Sequence, residues 1–289
     1  MTSGSSSSFA RRTLVGATEA LVVAPSPSLV RAVVGLLCEC RGDDADDDPA
    51  ERVRLLCDPT DAEAAFDDFL LSADAADAVE AGRLAVRTDP SLDAGVTLAD
   101  GAVHAHVPLG DGSERPAESG PTGGAVDTPE FVPVGGADGA VYDAVAACYE
   151  ARWDEADGLD LGVPGRSALL ASFRDRWPDA CDTLAGAFAA VESAPREDVL
   201  APVTVCTLVA ARHDVLVMRL SEWAEEVGFS SRTEIARAKA TLVDAGLVDT
   251  ERVPAGVGRP RHRLVLADAG LAEADPAALV AAARESIPQ

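Results

Sequence analysis

The sequence predicts a mixed α/β domain, then a helical segment, then a small helical domain that closes on a β-hairpin. Three observations carry that prediction. Between residues 19 and 107, short apolar runs alternate with helical stretches in the order β-α-β-α-β-β-β, which makes a compact α/β layer structure. Residues 108–140 lose apolar periodicity and gather Gly, Pro, Ser and Thr, as a linker does. Between residues 196 and 268, a short helix, a glycine turn and a longer helix precede two strands. The 289 residues leave room for about two domains.

Residues 1–18 start polar and serine-rich, and read as a flexible tail. Glu19 to Ala24 (EALVVA) is a buried strand that breaks at Pro25. Ser26 is placed as an N-cap with Pro27 at the first helical position. Leu29, Val30, Val33, Val34, Leu36 and Leu37 then fill one broad apolar face. Asp43 to Asp48 is a charge run that reads as a solvated loop. Val53 to Cys57 is a second strand. A helix follows over Thr60 to Leu71, continues to Ala81 and stops at Gly82. Leu84 to Arg87 is a third strand. Gly95 to Leu98 and Ala102 to Val107 form a hairpin around Asp100-Gly101, a strong two-residue turn signal.

Residues 141–195 read as a helical connector. Val141 to Asp157 carries Val145, Tyr149 and Trp153 on one side. Two further helices over Ser167 to Ala190 divide at Trp177-Pro178. These helices and a last one over Pro276 to Ser286, within the closing segment 269–289, are the candidate dimer surfaces.

The composition excludes several classes. There is no run of about 18 apolar residues, so no membrane span is expected. The start lacks the basic region and long apolar core of a signal peptide. Six scattered cysteines (Cys38, Cys40, Cys57, Cys148, Cys181 and Cys206) fit a reduced, cytoplasmic chain. The net charge is −25, from 24 basic and 49 acidic residues, and Lys239 is the only lysine. Screening shrinks the Debye length to about 3 Å at 1 M salt, so that self-repulsion is tolerable in strong salt. The acidity is therefore read as adaptation to a salt-loving microbe's cytoplasm.

One stretch escapes the acidic bias. Arg212 to Arg263 holds nine basic and eight acidic residues, whereas the remainder holds 15 and 41. That local balance suits a polyanion. It coincides with a motif. Pro202 to Arg212 is an apolar helix. Leu220 to Val227 is a short helix with Ser221 as its N-cap. Gly228-Phe229-Ser230 is a tight turn, and Ser231 to Ala245 is a longer helix ended by Gly246. This spacing is a helix-turn-helix, whose second helix enters the major groove with its N-terminal residues at the base edges. Those residues are Ser230, Ser231, Arg232 and Thr233, with Arg237 one turn on and Lys239 beyond. Leu247 to Val253 and Arg263 to Leu266 pair as strands around a Gly/Pro-rich tip bearing Arg259 and Arg261. The tip is a β-wing, suited to phosphate or the minor groove.

The segment from Pro202 to Asp268 resembles the winged helix-turn-helix of prokaryotic transcription regulators. The resemblance lies in Ala245-Gly-Leu-Val-Asp-Thr-Glu-Arg and in Gly258-Arg-Pro-Arg. The whole chain resembles the TbsP-like repressors of haloarchaea, through LVVAPSPSLVRAVVGLL, VRLLCDP, DDFLLSADAADAVEAGRLAVRT and LSEWAEEVGFSSRTEIARAKATLVDAGLVDTERVPAGVGRPR. That resemblance implies a sugar-responsive regulator of central-metabolic genes. The chain departs from the family in its Asp-rich loop after Cys40 and in its extended linker.

Weaker constellations remain. His104 and His106 share a strand face, and Cys38, Cys40 and Cys57 are thiols, but no CxxC is present and structural roles are preferred. The strand order resembles half of a phospholipase D-like domain. That chemistry needs a histidine with a lysine two residues on, and His106 stands there instead, so a non-catalytic sensor is expected. The Asp run lacks the glycine and terminal glutamate of a calcium loop. Ser26 and Ser28 at a helix start offer hydrogen bonds to an anionic effector such as a sugar phosphate, against the plainer reading of an ordinary N-cap.

The expected protein is a non-enzymatic, cofactor-free regulator that binds promoter DNA as a homodimer. A sensor or dimerisation domain spans 19–107 and a winged helix-turn-helix spans 196–268. The rival reading is a ligand-sensing or enzymatic α/β domain whose winged helix serves protein interaction.

Overall fold

The computed structural model describes residues 3–24, 26–39, 50–92, 94–108, 131–136, 139–193, 200–254 and 261–287. The chain divides into two compact units, Met1–Gly162 and Val163–Gln289. The Asp-rich loop 43–48, Cys40, most of the linker and Arg259 lie outside the described residues.

The first unit contains strands β1 (Glu19–Ala24), β2 (Arg52–Cys57), β3 (Leu84–Thr88), β4 (Gly95–Ala99), β5 (Ala102–Pro108), β6 (Phe131–Gly136) and β7 (Asp157–Gly158). Its helices are α1 (Ser3–Leu14), α2 (Pro27–Glu39), α3 (Pro59–Phe66), α4 (Phe69–Glu80) and α5 (Gly139–Glu155). The strands form one sheet in the order β6-β5-β4-β1-β2-β3-β7. β1, β2 and β3 run parallel, with Val22 beside Leu55 and Leu55 beside Val86. The other pairings are antiparallel. The β4–β5 turn has Asp100 and Gly101 both at positive φ, the mirror-image turn that matches strand twist.

The central strand is apolar from Ala20 to Ala24 because both of its faces are covered there. Ala20, Val22 and Ala24 join a core with Phe9, Leu14, Leu29, Val33 and Leu37 from α1 and α2. Leu21 and Val23 join the opposite core with Tyr149 and Trp153 from α5. Two arginines on that face hold α5 down. Arg54 makes a bidentate pair with Glu150 at 2.5 and 2.6 Å. Arg87 stacks over the Trp153 ring, 4.9 Å from its centre, and donates to the Trp153 carbonyl at 2.5 Å.

Several expectations change here. The start is not a loose tail: α1 buries Phe9, Ala10 and Leu14. Its serines are weak helix formers and mask the apolar spacing, but docking onto α2 outweighs that propensity. The stretch 108–140 contains β6, which pairs with β5. Pro133, Gly135 and Gly136 suit the linker expected over 108–140, but an edge strand tolerates proline. The helix expected over 60–71 is two helices, because the Asp68 carboxylate accepts from the Leu70 and Leu71 amides and starts a new one. The helix expected to connect domains, α5, is the second cover of the sheet.

The second unit comprises α6 (Arg166–Arg176), α7 (Pro178–Glu192), α8 (Pro202–Arg212), α9 (Val217–Glu226), α10 (Arg232–Asp244), β8 (Val248–Val253), β9 (Arg261–Leu266) and α11 (Pro276–Ser286). Trp223 of α9 is fully buried at the centre of a ring cluster. Phe173 lies 5.0 Å away, Phe229 5.5 Å and Trp177 5.9 Å. The indole N–H donates to the Ser172 hydroxyl at 3.2 Å. α6 and α7 therefore belong to this unit's core. α11 packs on α7 through buried Leu279, Val280 and Ala283, with Pro276 against Gly186. Its apolar face is buried within the unit. α9 starts at Val217 and Ser221 is a buried interior residue, not a cap. Leu216, just before α9, makes a single antiparallel bridge to Arg263 of the β8–β9 hairpin.

Leu14 has no exposed surface, so Leu14→Ala should cost about 2–5 kcal/mol of the first unit's stability. Urea unfolding followed by Tyr and Trp fluorescence measures it. An unchanged midpoint would show that α1 is not docked.

Candidate nucleic-acid interface

The turn between α9 and α10 is fixed by its own backbone. Gly228 takes a positive φ of 69°, which only glycine adopts without strain. The Phe229 and Ser230 amides both donate to the Ala224 carbonyl, at 2.8 and 3.2 Å. Phe229 is thereby driven into the ring cluster, and α10 leaves the turn in a set direction. Ser231 caps it: the Glu234 amide donates to the Ser231 hydroxyl at 3.2 Å, and the Ser231 amide donates to the Glu234 carboxylate at 2.9 Å. This is a reciprocal capping box. The Ser231 amide and the hydroxyls of Ser231 and Ser230 hold the Glu234 carboxyl below the usual range.

Ile235, Ala238 and Leu242 face inward. At about 100° per residue, Thr233, Arg237 and Ala240 lie opposite them, while Arg232 and Lys239 lie on one flank. Thr233 and Arg237 are exposed, and Lys239 is half-buried. Arg232 is exposed but paired, its Nε 2.6 Å from Glu225 of α9. The Ser230 and Ser231 hydroxyls both donate to Glu234. The residues expected at the base edges thus divide into an outward pair, a flank and a cap.

In the hairpin, Arg252 pairs across the ladder with His262, on the face that continues Val248 and Leu264. Arg261 sits opposite Val253 and is exposed at the base of the tip. Arg263 lies 3.7 Å from Glu251. Sequence reasoning missed the carboxylates of α9. Glu222, Glu225 and Glu226 recur at three- and four-residue spacing, a signal that was there to be seen.

Two family models match the chain. The C-terminal helix-turn-helix domain of TbsP-like transcriptional regulators matches residues 166–284, and the N-terminal domain of the same regulators matches residues 2–115. The chain belongs to the TbsP-like transcriptional regulators. The helix-turn-helix model begins at α6, in agreement with a ring cluster that ties α6 and α7 to α9. Among solved structures, TrmBL2, an archaeal chromatin protein described as showing a novel mode of DNA binding, is similar at 14% identity with a TM-score of 0.33. The match covers 54% of this chain and spans about half, 52%, of that one. No curated protein matches the sequence.

In the TbsP-like N-terminal unit, Ser26 and Ser28 sit where β1 ends. Their hydroxyl oxygens are 3.1 Å apart, and Ser26 accepts from the Leu29 amide at 3.4 Å. The neighbouring parallel strands end at Asp58 and Asp89, next in the chain after Cys57 and Thr88. Asp58 caps α3, and Asp89 accepts from Ser91 and faces Arg152 at 3.5 Å. Two carboxylates at this edge oppose a phosphate.

His106 and Cys57 have structural places. His106 is buried, shares a 3.1 Å hydrogen bond with Thr97 and meets the Phe9 ring edge-on at 4.7 Å. Burial pushes the Cys57 thiol up to about 12, aided by Asp61 and Asp58, so it is not a thiolate. Among the described residues, no three His, Cys, Asp or Glu side chains are grouped to hold a metal ion.

Ser231→Ala should cost about 0.5–2 kcal/mol of the second unit's stability by loss of the cap, read by thermal melting. An unchanged melting temperature would mean that Glu234 does not depend on this hydroxyl. His106 gives a pH dependence. Burial, then neighbouring His104, lowers it from 6.5 to about 4. The unfolded chain takes up a proton that the fold refuses, so this contribution is complete above 6.5 and is lost as pH falls towards 4. The loss is about 3 kcal/mol at most. Wild type and His106→Gln compared by urea unfolding across that range should differ in slope. Parallel slopes would refute the assignment.

Proposed function

We propose that the carboxy-terminal unit binds double-stranded promoter DNA sequence-specifically, with α10 in the major groove and the β8–β9 wing on the flanking backbone. The observation that carries this reading is the outward row of Thr233 and Arg237 on a helix whose start is rigidly capped beside a hairpin bearing Arg252 and Arg261. Arg237 is exposed, with the Glu234 carboxylate near it, and its guanidinium suits the O6/N7 edge of guanine or a phosphate. Lys239, Arg259 and Arg261 add backbone contacts. Ser230 and Ser231 act through Glu234 by fixing the helix start. The strand order of the first unit supports a non-catalytic sensor of phospholipase D-like half-domain form.

The finer reading follows the family. The protein acts in the cytoplasm of a salt-loving archaeon as a sugar-responsive repressor of central-metabolic genes. Two copies bind half-sites about 10 base pairs apart or a multiple of that. The edge holding Ser26, Asp58 and Asp89 favours a neutral sugar, whose hydroxyls a carboxylate can accept from, over a sugar phosphate.

Chromatin pull-down with the full chain should enrich discrete promoter sites that share a palindromic motif. Absence of shared sites would leave the winged helix as a protein-interaction module. On the recovered operator, Arg237→Ala should cost about 1–3 kcal/mol, and Arg232→Ala less, because Arg232 lies on the flank. Fluorescence anisotropy measures both. Wild-type binding by Arg237→Ala would refute the docking of α10.

A further inference from the structure

Beside the start of α10 lies a groove of about 760 Å³. Three arginines from three helices line it: Arg176 of α6, Arg219 of α9 and Arg232 of α10. Each is held by a carboxylate of α9. Arg176 pairs with Glu226, Arg219 with Glu222 at 3.2 Å, and Arg232 with Glu225 at 2.6 Å. All six side chains are partly exposed, and such pairs hold weakly. In a helix-turn-helix the first helix crosses the DNA backbone while the second enters the groove, so phosphates approach this side of α9.

We propose that this groove is a masked phosphate-contact surface. The three α9 carboxylates compete with DNA for arginines that would otherwise bind any duplex. A phosphate claims an arginine only by displacing a glutamate, and the displaced carboxylate must then regain solvent cations. Counterion release from DNA is therefore offset by cation uptake on the protein. Non-specific duplex, which offers little but phosphate, loses most by the exchange, whereas an operator also engages Arg237 at its bases. The masking thus acts as a specificity device. The inference rests on the DNA-binding reading above.

The test compares the full-length wild type with a Glu222→Gln/Glu225→Gln/Glu226→Gln variant, titrating a random-sequence duplex by anisotropy from about 0.1 to 1 M salt. Each unmasked arginine should steepen the slope of log affinity against log salt by roughly 0.9, so the triple variant gains between about two and three units. Binding at low salt tightens at least tenfold. Glu225→Gln alone should gain about 0.9, which serves if the triple variant unfolds by circular dichroism. An Asp182→Asn/Glu273→Gln/Glu285→Gln variant removes the same charge outside the groove and should keep the wild-type slope. Adding Arg176→Ala and Arg219→Ala to the triple variant should return most of the gain. Equal slopes for wild type and triple variant, weaker binding by the triple variant, or an equal gain from the control would overturn the masking while leaving DNA binding intact. A wild type that binds no duplex at any salt would overturn both readings.

Discussion

Trp223 has no exposed surface, and the geometry of the helix-turn-helix follows from it. Its ring contacts Phe173, Trp177 and Phe229, and its N–H is satisfied by Ser172. A buried indole needs both an apolar bed and one hydrogen-bond acceptor, and α6 supplies the acceptor together with part of the bed. That requirement fixes α9 against α6. The Ala224 carbonyl, next in the chain, then receives the two turn amides, and the turn sets the line of α10. The capping box and the outward placement of Thr233 and Arg237 follow in sequence. With only 4% aromatic residues in the chain, concentrating five rings at this point (Phe188 is the fifth) is a large share of its stiffest packing material.

The first unit solves a different problem. A sheet whose central strand is apolar on both faces must be covered twice. One cover is the layer of α1, α2, α3 and α4; the other is α5. The α5 cover is held by polar chemistry as well as apolar area. The Arg54–Glu150 pair strengthens the guanidinium's hold on its proton through the Glu150 hydrogen bond and keeps the Glu150 carboxyl below its usual range. Trp153 meets two guanidinium groups over its ring, Arg54 at 5.6 Å and Arg87 at 4.9 Å.

The parts of this architecture that were legible in the sequence are those governed by local rules. EALVVA as a buried strand and the Asp100-Gly101 hairpin each depend on a few adjacent residues. The helix-turn-helix was legible for the same reason, because Gly228 and Gly246 carry its punctuation; the Ser231–Glu234 capping box was not read. What escaped depended on distant partners. α1 is helical because of what Phe9 and Leu14 meet, and serines hide that. β6 exists because β5 offers an edge. The assignment of α6 and α7 to the second unit needed the indole–serine bond across 51 residues. The carboxylates of α9 were visible as a pattern, and the Arg219–Glu222 pair follows helix spacing, but Arg176 and Arg232 come from two other helices, which no spacing rule reaches.

Lys239 stands on the flank of α10, half-buried, and is the only lysine in the sequence. Every reagent or enzyme that acts on a lysine side chain therefore converges on α10, the second helix of the helix-turn-helix. An acetyl group, an isothiocyanate dye or a lysine-specific protease has one side-chain target here, and that target reports on the second helix of the helix-turn-helix. A chain so depleted of lysine has made that helix individually addressable.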